Sequence, residues 1–584
     1  MIGRVRAFCL WLGLAAALAP AALGQETVRV PEAATGSGSK DLAVASRHMA
    51  AAAHPLAAEA GRDILRTGGS AVDAAIAMQL VLGLVEPQSS GLGGGAFVVH
   101  FDAAKGEVKT FDGRETAPDS AKPDRFLKNG QPIDFDEAVR SGLSIGVPGV
   151  MRVMELAHQQ HGKLPWARLF EPAIALADAG FVISQRLHLL LRWQGVEHFS
   201  PAARAYFFDE AGAARPNGYL LKNPAYAATL RVLAERGASA FYEGPIAEAI
   251  VDAVNSGPTA QGDVTRADLS GYRAKERAPV CFTYRAHKIC GMGPPSSGGI
   301  TIAQTLKLLE PFAEVQGPGA KLSGAALHVI AEAEKLAYAD RNRYLADPDV
   351  IAIPGGLLDD AYLAERRKLI DVTKAMAKPA AGLPPGLAKR SFGWDATREA
   401  VGTSHISVVD DAGNAVAMTT TIESAFGSGH WAAGFLLNNQ LTDFSFRPVD
   451  QDGAPIANAV AGGKRPRSSM SPTIVLDAAG AFEAATGSPG GSRIILFVIK
   501  SLIAMLDWGL DPQAAAALIN FGSEGGPLVI EYGLSSIWPA LTLKTYGHPV
   551  SAELLTSGGH TIMRRGGRLE GGADPRRDGV ALGD

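Results

Sequence analysis

Two runs of alternating residues, Thr403 to Val409 and Ala415 to Thr421, flank the turn Asp411-Ala412-Gly413-Asn414, and they constrain the fold more than any other stretch. Period-two patterning around a glycine-containing turn predicts an antiparallel hairpin. With the turn centred on Ala412, Thr403 falls directly opposite Thr421, which sets two hydroxyls at one strand end. A lone threonine in a strand is normally a β-branched residue on a pleated surface. The opposed pair, with Gly402 just before it, marks this one as a candidate nucleophile.

Other elements read as layers around that hairpin. Pro55 to Thr67 predicts a helix stopped by Gly68-Gly69, and Ser70 with Asp73 forms a capping box for an apolar helix to about Leu84. The glycine turn 91–95 leads into a strand, Ala96 to Phe101, and the chain returns as Glu107 to Asp112, delivering Arg114 at a strand end. Residues 145–390 are mostly helical in pattern, and Lys378 to Lys389 reads as an exposed connection. The last third alternates strands and turns, apart from an apolar helix from Ser492 to about Leu506, while residues 25–47 look loosely ordered. Strand pairs alternating with helix pairs predict an α/β protein with antiparallel sheets between helical layers.

Length alone, 584 residues, allows two to four domains. The net charge of −4 comes without blocks of like charge, which argues against nucleic acid or an anionic membrane surface as partner. Arg4 and Arg6, the apolar stretch Ala7 to Leu18 and the small residues Ala22-Leu23-Gly24 predict a cleaved leader over residues 1–24, and hence export with maturation near Gln25. Cys281 and Cys290 then remain, flanking a stretch that folds as a hairpin about Arg285-Ala286 and sets them opposite each other. An oxidising compartment leaves a bridge and two free thiols both open. Two cysteines without clustered histidines make no zinc site, and no metal or organic cofactor is expected.

A hydroxyl nucleophile needs a base, and no Ser/His/Asp ordering supplies one. The remaining candidate is the α-amino group that Thr403 gains if the chain breaks after Gly402, with a pKa of about 7.7–8.0, suited to a general base. Further on come Leu437 to Asp443, Arg467-Ser468-Ser469-Met470 and Gly487-Ser488-Pro489-Gly490-Gly491-Ser492, offering acceptors for an amine, donors for a carboxylate and a glycine turn for an oxyanion.

These segments, with Ala57 to Gly95, Phe111 to Pro118, Pro294 to Ile300 and Gly571 to Asp574, resemble the γ-glutamyltranspeptidase (glutathione hydrolase) family over nearly all of the chain beyond the leader. The resemblance implies a four-layer αββα N-terminal-nucleophile hydrolase fold and a proenzyme that cuts itself between Gly402 and Thr403. It implies a large fragment 25–402 and a small fragment 403–584 held together as a heterodimer. Thr403 resembles the nucleophile, Thr421 its partner hydroxyl, and Gly490 and Gly491 the oxyanion hole. Arg114 resembles the grip on a substrate α-carboxylate, helped by Ser468 and Ser469, and a guanidinium suits two-pronged carboxylate recognition. Asp443, with Gln440 beside it, resembles the acceptor of an α-ammonium, while Asn438 and Asn439 are expected to satisfy backbone.

Two departures stand out. Glu423 replaces a small or neutral polar residue near the α-amino position, and Phe444 to Lys464 is short and lacks an aromatic lid residue. An open site favours hydrolysis alongside transfer to an amino acid or peptide. The implied substrate is glutathione or another γ-glutamyl compound. The rivals are a glutaryl/cephalosporin-type acylase of the same superfamily, and an unprocessed secreted binding protein.

Overall fold

The computed structural model describes residues 35–584 except 37, 257–258, 388–391, 398 and 400–401. The leader expected over residues 1–24 lies outside the described residues.

Two seven-stranded sheets carry the fold. In chain order their strands are β1 (Ala43–Ala45), β2 (Met49–Ala52), β3 (Gly95–Asp102), β4 (Glu107–Gly113), β5 (Lys275–Arg277), β6 (Val280–Tyr284), β7 (His287–Gly291), β8 (Thr403–Val409), β9 (Ala415–Thr421), β10 (Thr473–Leu476), β11 (Phe482–Thr486), β12 (His560–Arg565), β13 (Arg568–Ala573) and β14 (Val580–Gly583). The first sheet runs β14-β2-β8-β9-β3-β4-β5 and the second β1-β13-β12-β11-β10-β7-β6, with every neighbouring pair antiparallel. Segments before and after Gly402 interleave in both sheets, so the described residues form one compact unit rather than the several domains that length allows.

The hairpin β8–β9 lies at the centre of the first sheet, in the register that pairs Thr403 with Thr421. Asp410 closes its turn, its carboxylate accepting from the Ala412 and Asn414 amides at 2.9 and 3.0 Å. Gly413 there has φ +82°, a conformation that costs glycine little. Val99, Phe101, Val409 and Ala417 of the first sheet pack on Ile474, Phe482 and Ile562 of the second, which makes the inner core.

Helices cover both outer faces. Against the first sheet lie α1 (Pro55–Arg66) and α2 (Ala71–Val85); against the second lie α3 (Gly298–Leu309), α4 (Gly324–Tyr344) and α5 (Ile494–Leu506). The Ser70–Asp73 capping box opens α2, and every residue of that helix except Gly83 is buried. A helix apolar all round has no solvent face and must sit between layers. Each of its buried Val, Ile and Leu side chains is worth roughly 1.5–3 kcal/mol.

Two expectations need correction. Residues 43–45 form an ordered edge strand on β13, because their backbone finds partners in a distant part of the chain. The last third also holds helices at Pro512–Ala517 and Ile537–Thr545, whose short patterns are masked by proline at the first and third positions respectively.

Cys281 and Cys290 are register partners in β6–β7, with Cα atoms 4.1 Å apart, and are joined as a disulfide. The bridge closes a loop of sequence separation 9. Replacing both cysteines by alanine is expected to lower stability by about 2–3 kcal/mol in denaturant titration, with little effect on the distant cleft.

Candidate active site

Thr403 begins β8 and is buried, as is Thr421 opposite it. The Thr403 hydroxyl donates to the Thr421 Oγ1 at 3.4 Å, and Thr421 in turn donates to the carbonyl oxygen of Gly402 at 2.6 Å. The Glu423 amide donates to the same Thr421 oxygen at 2.7 Å, fixing its rotamer. Thr421 therefore both orients the Thr403 hydroxyl and polarises the carbonyl immediately before it. A Cβ on Gly402 would come within 2.2 Å of the Glu423 carbonyl oxygen, so only glycine permits this approach. Glu423 itself has φ +79°, a strained conformation for a residue with a side chain.

His405 shares with Thr403 and Ser407 the face turned to the second sheet. Its ring lies against Gly487, and its nitrogens reach Thr419 Oγ1 at 2.9 Å and Ser407 Oγ at 3.1 Å. Burial drives its pKa down to about 3, so it stays neutral and serves packing rather than proton transfer.

The glycine turn leads into α5. Gly490 has φ +142° and Gly491 φ +58°, and Gly491 to Arg493 form a single 3₁₀ turn ahead of Ile494. Gly491 lines the same cleft as Thr403 and Thr421, while Gly490 sits behind it against the Phe497 ring. Amide groups at such a helix start favour negative charge.

Arg114, Glu423, Asp443, Ser468 and Ser469 also line this cleft. Arg114 pairs directly with Asp443, NH2 to Oδ2 at 2.5 Å, and also donates to the carbonyls of Pro466 and Arg467. The two residues expected at opposite ends of a head group thus neutralise each other in the uncut chain. Glu115 lies 3.9 Å from the same guanidinium. Gln440 links the two acids, donating from Nε2 to Glu423 Oε2 at 2.8 Å and to Asp443 Oδ2 at 2.7 Å. Asp443 Oδ1 and Gln440 Oε1 remain buried acceptors without a hydrogen-bond donor among the described residues. Asn438 and Asn439 satisfy backbone, Asn438 bridging Gly93 and Gly146 and Asn439 accepting from the Ser424 amide.

Burial pushes the Glu423 carboxyl well up, and neighbouring Asp443 adds to the shift. Asp443 is also raised by burial, against the pull of Arg114. Both carboxyls are therefore shifted towards the protonated form, by burial above all. Burial raises Glu115 to about 8, only partly opposed by Arg114. The folded chain then keeps a proton that the unfolded chain releases above its ordinary value of 4.5. That contribution to stability is complete below the unfolded value and is lost as pH rises through about 8, with a slope of about 1.4 kcal/mol per pH unit. Glu115→Gln is expected to flatten the fall in the denaturation midpoint between pH 6 and pH 8.

Three features carried no local signal. Glu399, which lines the cleft, pairs with Arg341 from the last turn of α4, a contact beside Arg467 of the segment already noted for its carboxylate donors. A hollow of about 620 Å³, lined by Trp394, Phe446, Phe135 and Ile456 among others, does not reach Thr403. The cleft at Thr403 itself has only about 10 Å³ of room, enough for a single water. Away from the cleft, His328, Glu332 and His548 bring three ligand-type atoms within 4.8 Å of one another. Lys335 already places its ammonium 2.7 Å from Glu332 Oε1, and His328 Nδ1 lies 2.7 Å from His548 Nε2, so the cluster is internally paired.

An αββα sandwich with a threonine heading a central strand, its hydroxyl bonded to a second threonine that holds the preceding carbonyl, defines the class of N-terminal-nucleophile hydrolases. Residues 57–584 match the family described as gamma-glutamyltranspeptidase. The glutathione hydrolase proenzyme of Escherichia coli (strain K12) is 38% identical over 549 residues, covering 91% of each chain. That of Bacillus subtilis (strain 168) is 34% identical over 93% of this chain and 92% of its own. Among solved structures, a cephalosporin acylase from Bacillus halodurans superposes with a TM-score of 0.80 at 26% identity, over 96% of this chain and 99% of its own. The chain belongs to the γ-glutamyltranspeptidase family.

Proposed function

We propose that the protein is a self-processing γ-glutamyl hydrolase and transferase, acting on glutathione and related γ-glutamyl amides. The observation that carries this reading is a pair of buried acceptors without a donor among the described residues, Asp443 Oδ1 and Gln440 Oε1, beside the Glu423 carboxylate that Gln440 also bonds. An α-ammonium supplies the donors those atoms lack and a positive partner for the two buried acids.

In the precursor, Thr403 Oγ attacks the Gly402 carbonyl carbon while Thr421 donates to its oxygen. The peptide C–N bond breaks, the amine keeps the proton from the hydroxyl, and an ester joins Gly402 to Thr403. Water hydrolyses that ester, leaving fragments 25–402 and 403–584 as one interwoven heterodimer. In the mature enzyme Thr403 Oγ attacks the γ-carbonyl of the donor, its α-amine taking the proton and passing it to the leaving amine. The amides of Gly490 and Gly491 hold the oxyanion, and Arg114, Ser468 and Ser469 hold the α-carboxylate. Water or an acceptor amine then resolves the γ-glutamyl ester. Among the described residues no helix is long and apolar enough to cross a membrane. The leader and the disulfide support export to the periplasm or beyond.

The likeness to a cephalosporin acylase favours a second reading, in which a glutaryl-type side chain is the donor. Denaturing electrophoresis with N-terminal sequencing comes first, and a small fragment beginning Thr-Ser-His-Ile-Ser is expected. Comparison of γ-glutamyl- and glutaryl-p-nitroanilide then separates the readings. Turnover of the glutaryl compound alone would replace the first with the second.

A further inference from the structure

The segment leading to the cleavage position carries an acid into the cleft. Glu399 stands three residues before Gly402, and its side chain is only 4% exposed. Its carboxylate pairs with the Arg341 guanidinium and accepts from Ser469 Oγ at 2.6 Å, with Arg467 NH2 3.6 Å away. Arg341 is locked from its other side: Nε donates to Ser297 Oγ at 2.9 Å, NH1 to Asn342 Oδ1 at 2.7 Å, and NH2 to Ser469 Oγ at 2.6 Å. A guanidinium held this way is aimed at a carboxylate before one arrives. Upstream, Asp395 pairs with Arg467 at 3.1 Å and accepts from Asn458 at 3.1 Å, so Asp395 and Glu399 face the same guanidinium.

We propose that Glu399 is a stand-in for a substrate carboxylate, and that Arg341 with Ser469 forms a carboxylate-binding subsite that becomes available only after the chain is cut. The inference rests on the γ-glutamyl reading of the same cleft and adds to it a second guanidinium and a built-in occupant. While the chain is intact, Glu399 is tethered near Thr403 and the cleft has room for one water, so a donor cannot enter. Hydrolysis after Gly402 places Glu399 on a free chain end. Arg341 then becomes a buried cation whose partner can leave, and an unpaired buried charge is costly unless another anion replaces it. Burial alone would raise the Glu399 carboxyl, but Arg341, Arg467 and the Ser469 hydroxyl hold it below its ordinary value, so the stand-in is an anion as a donor carboxylate would be.

The test compares self-processed wild type with Arg341→Gln and Arg341→Lys, using γ-glutamyl-p-nitroanilide and its α-carboxamide counterpart. Wild type is expected to prefer the carboxylate donor. Arg341→Gln should raise KM for that donor on the order of tenfold to a hundredfold while changing KM for the carboxamide far less, with partial recovery in Arg341→Lys. An Arg341→Gln enzyme that discriminates as wild type does overturns the subsite. Wild type inactive on both donors would instead bring down the γ-glutamyl reading itself. A second measurement does not depend on maturation of the Arg341 variants: calorimetry of L-glutamate with the uncut Thr403→Ala chain and with Thr403→Ala/Glu399→Ala. Binding only to the double variant is expected; equal binding, or none to either, overturns the stand-in.

Discussion

Replacing Thr403 by alanine is expected to leave the purified chain in one piece and to abolish turnover of γ-glutamyl substrates. The Thr403 hydroxyl is the one directed at Thr421, whose own hydroxyl is already committed to the Gly402 carbonyl. Ser404 points to the other face of the strand, where its buried Oγ finds no hydrogen-bond partner among the described residues, and it cannot substitute. Loss of a catalytic nucleophile costs on the order of 10⁵–10⁶ in rate, so residual activity should be at the limit of detection. Electrophoresis reads the first effect and p-nitroaniline release the second. Survival of both self-cleavage and turnover would remove Thr403 from the mechanism. Thr403→Ser keeps the hydroxyl and is expected to retain both functions at reduced rate.

The second large effect belongs to the head-group residues. Arg114 and Asp443 are buried at 1% and 3% exposure and paired at 2.5 Å. Removing either strands a buried charge, which typically costs 3–5 kcal/mol, and removes a contact to the donor. Arg114→Ala and Asp443→Ala are each expected to lower kcat/KM for a γ-glutamyl donor by a factor of roughly 10²–10³. The double variant should lose less than the product of the two, because the pair is coupled. Wild-type KM in either single variant would sink the head-group assignment. Measured circular dichroism and fragment pattern should stay native, separating loss of binding from loss of fold.

The chemistry of the cleft and much of its frame were readable in the chain itself. Alternation and the Asp411–Asn414 turn specify the β8–β9 register, because a one-residue slip would turn every side chain to the wrong face. The Ser70–Asp73 pair specifies the start of α2, because capping depends on residues three apart. Cys281 and Cys290 face each other for the same local reason, the turn at Arg285-Ala286 fixing their register. Each of these depends on neighbours within about twenty residues, where chain geometry leaves few choices.

What only the tertiary structure decided is who meets whom in the cleft. The Arg114–Asp443 pair, the Arg341–Glu399–Ser469 cluster and the Glu423–Gln440–Asp443 group join segments from six parts of the chain. No spacing rule predicts them, since buried charges select partners by distance and desolvation after the layers have packed. The sequence by itself determined the central hairpin, the capped helix and the facing cysteines, and it marked Thr403 behind Gly402 as the candidate nucleophile. Folding determined that Glu399 lines the same cleft as Thr403, because the two sheets draw strands from both sides of Gly402.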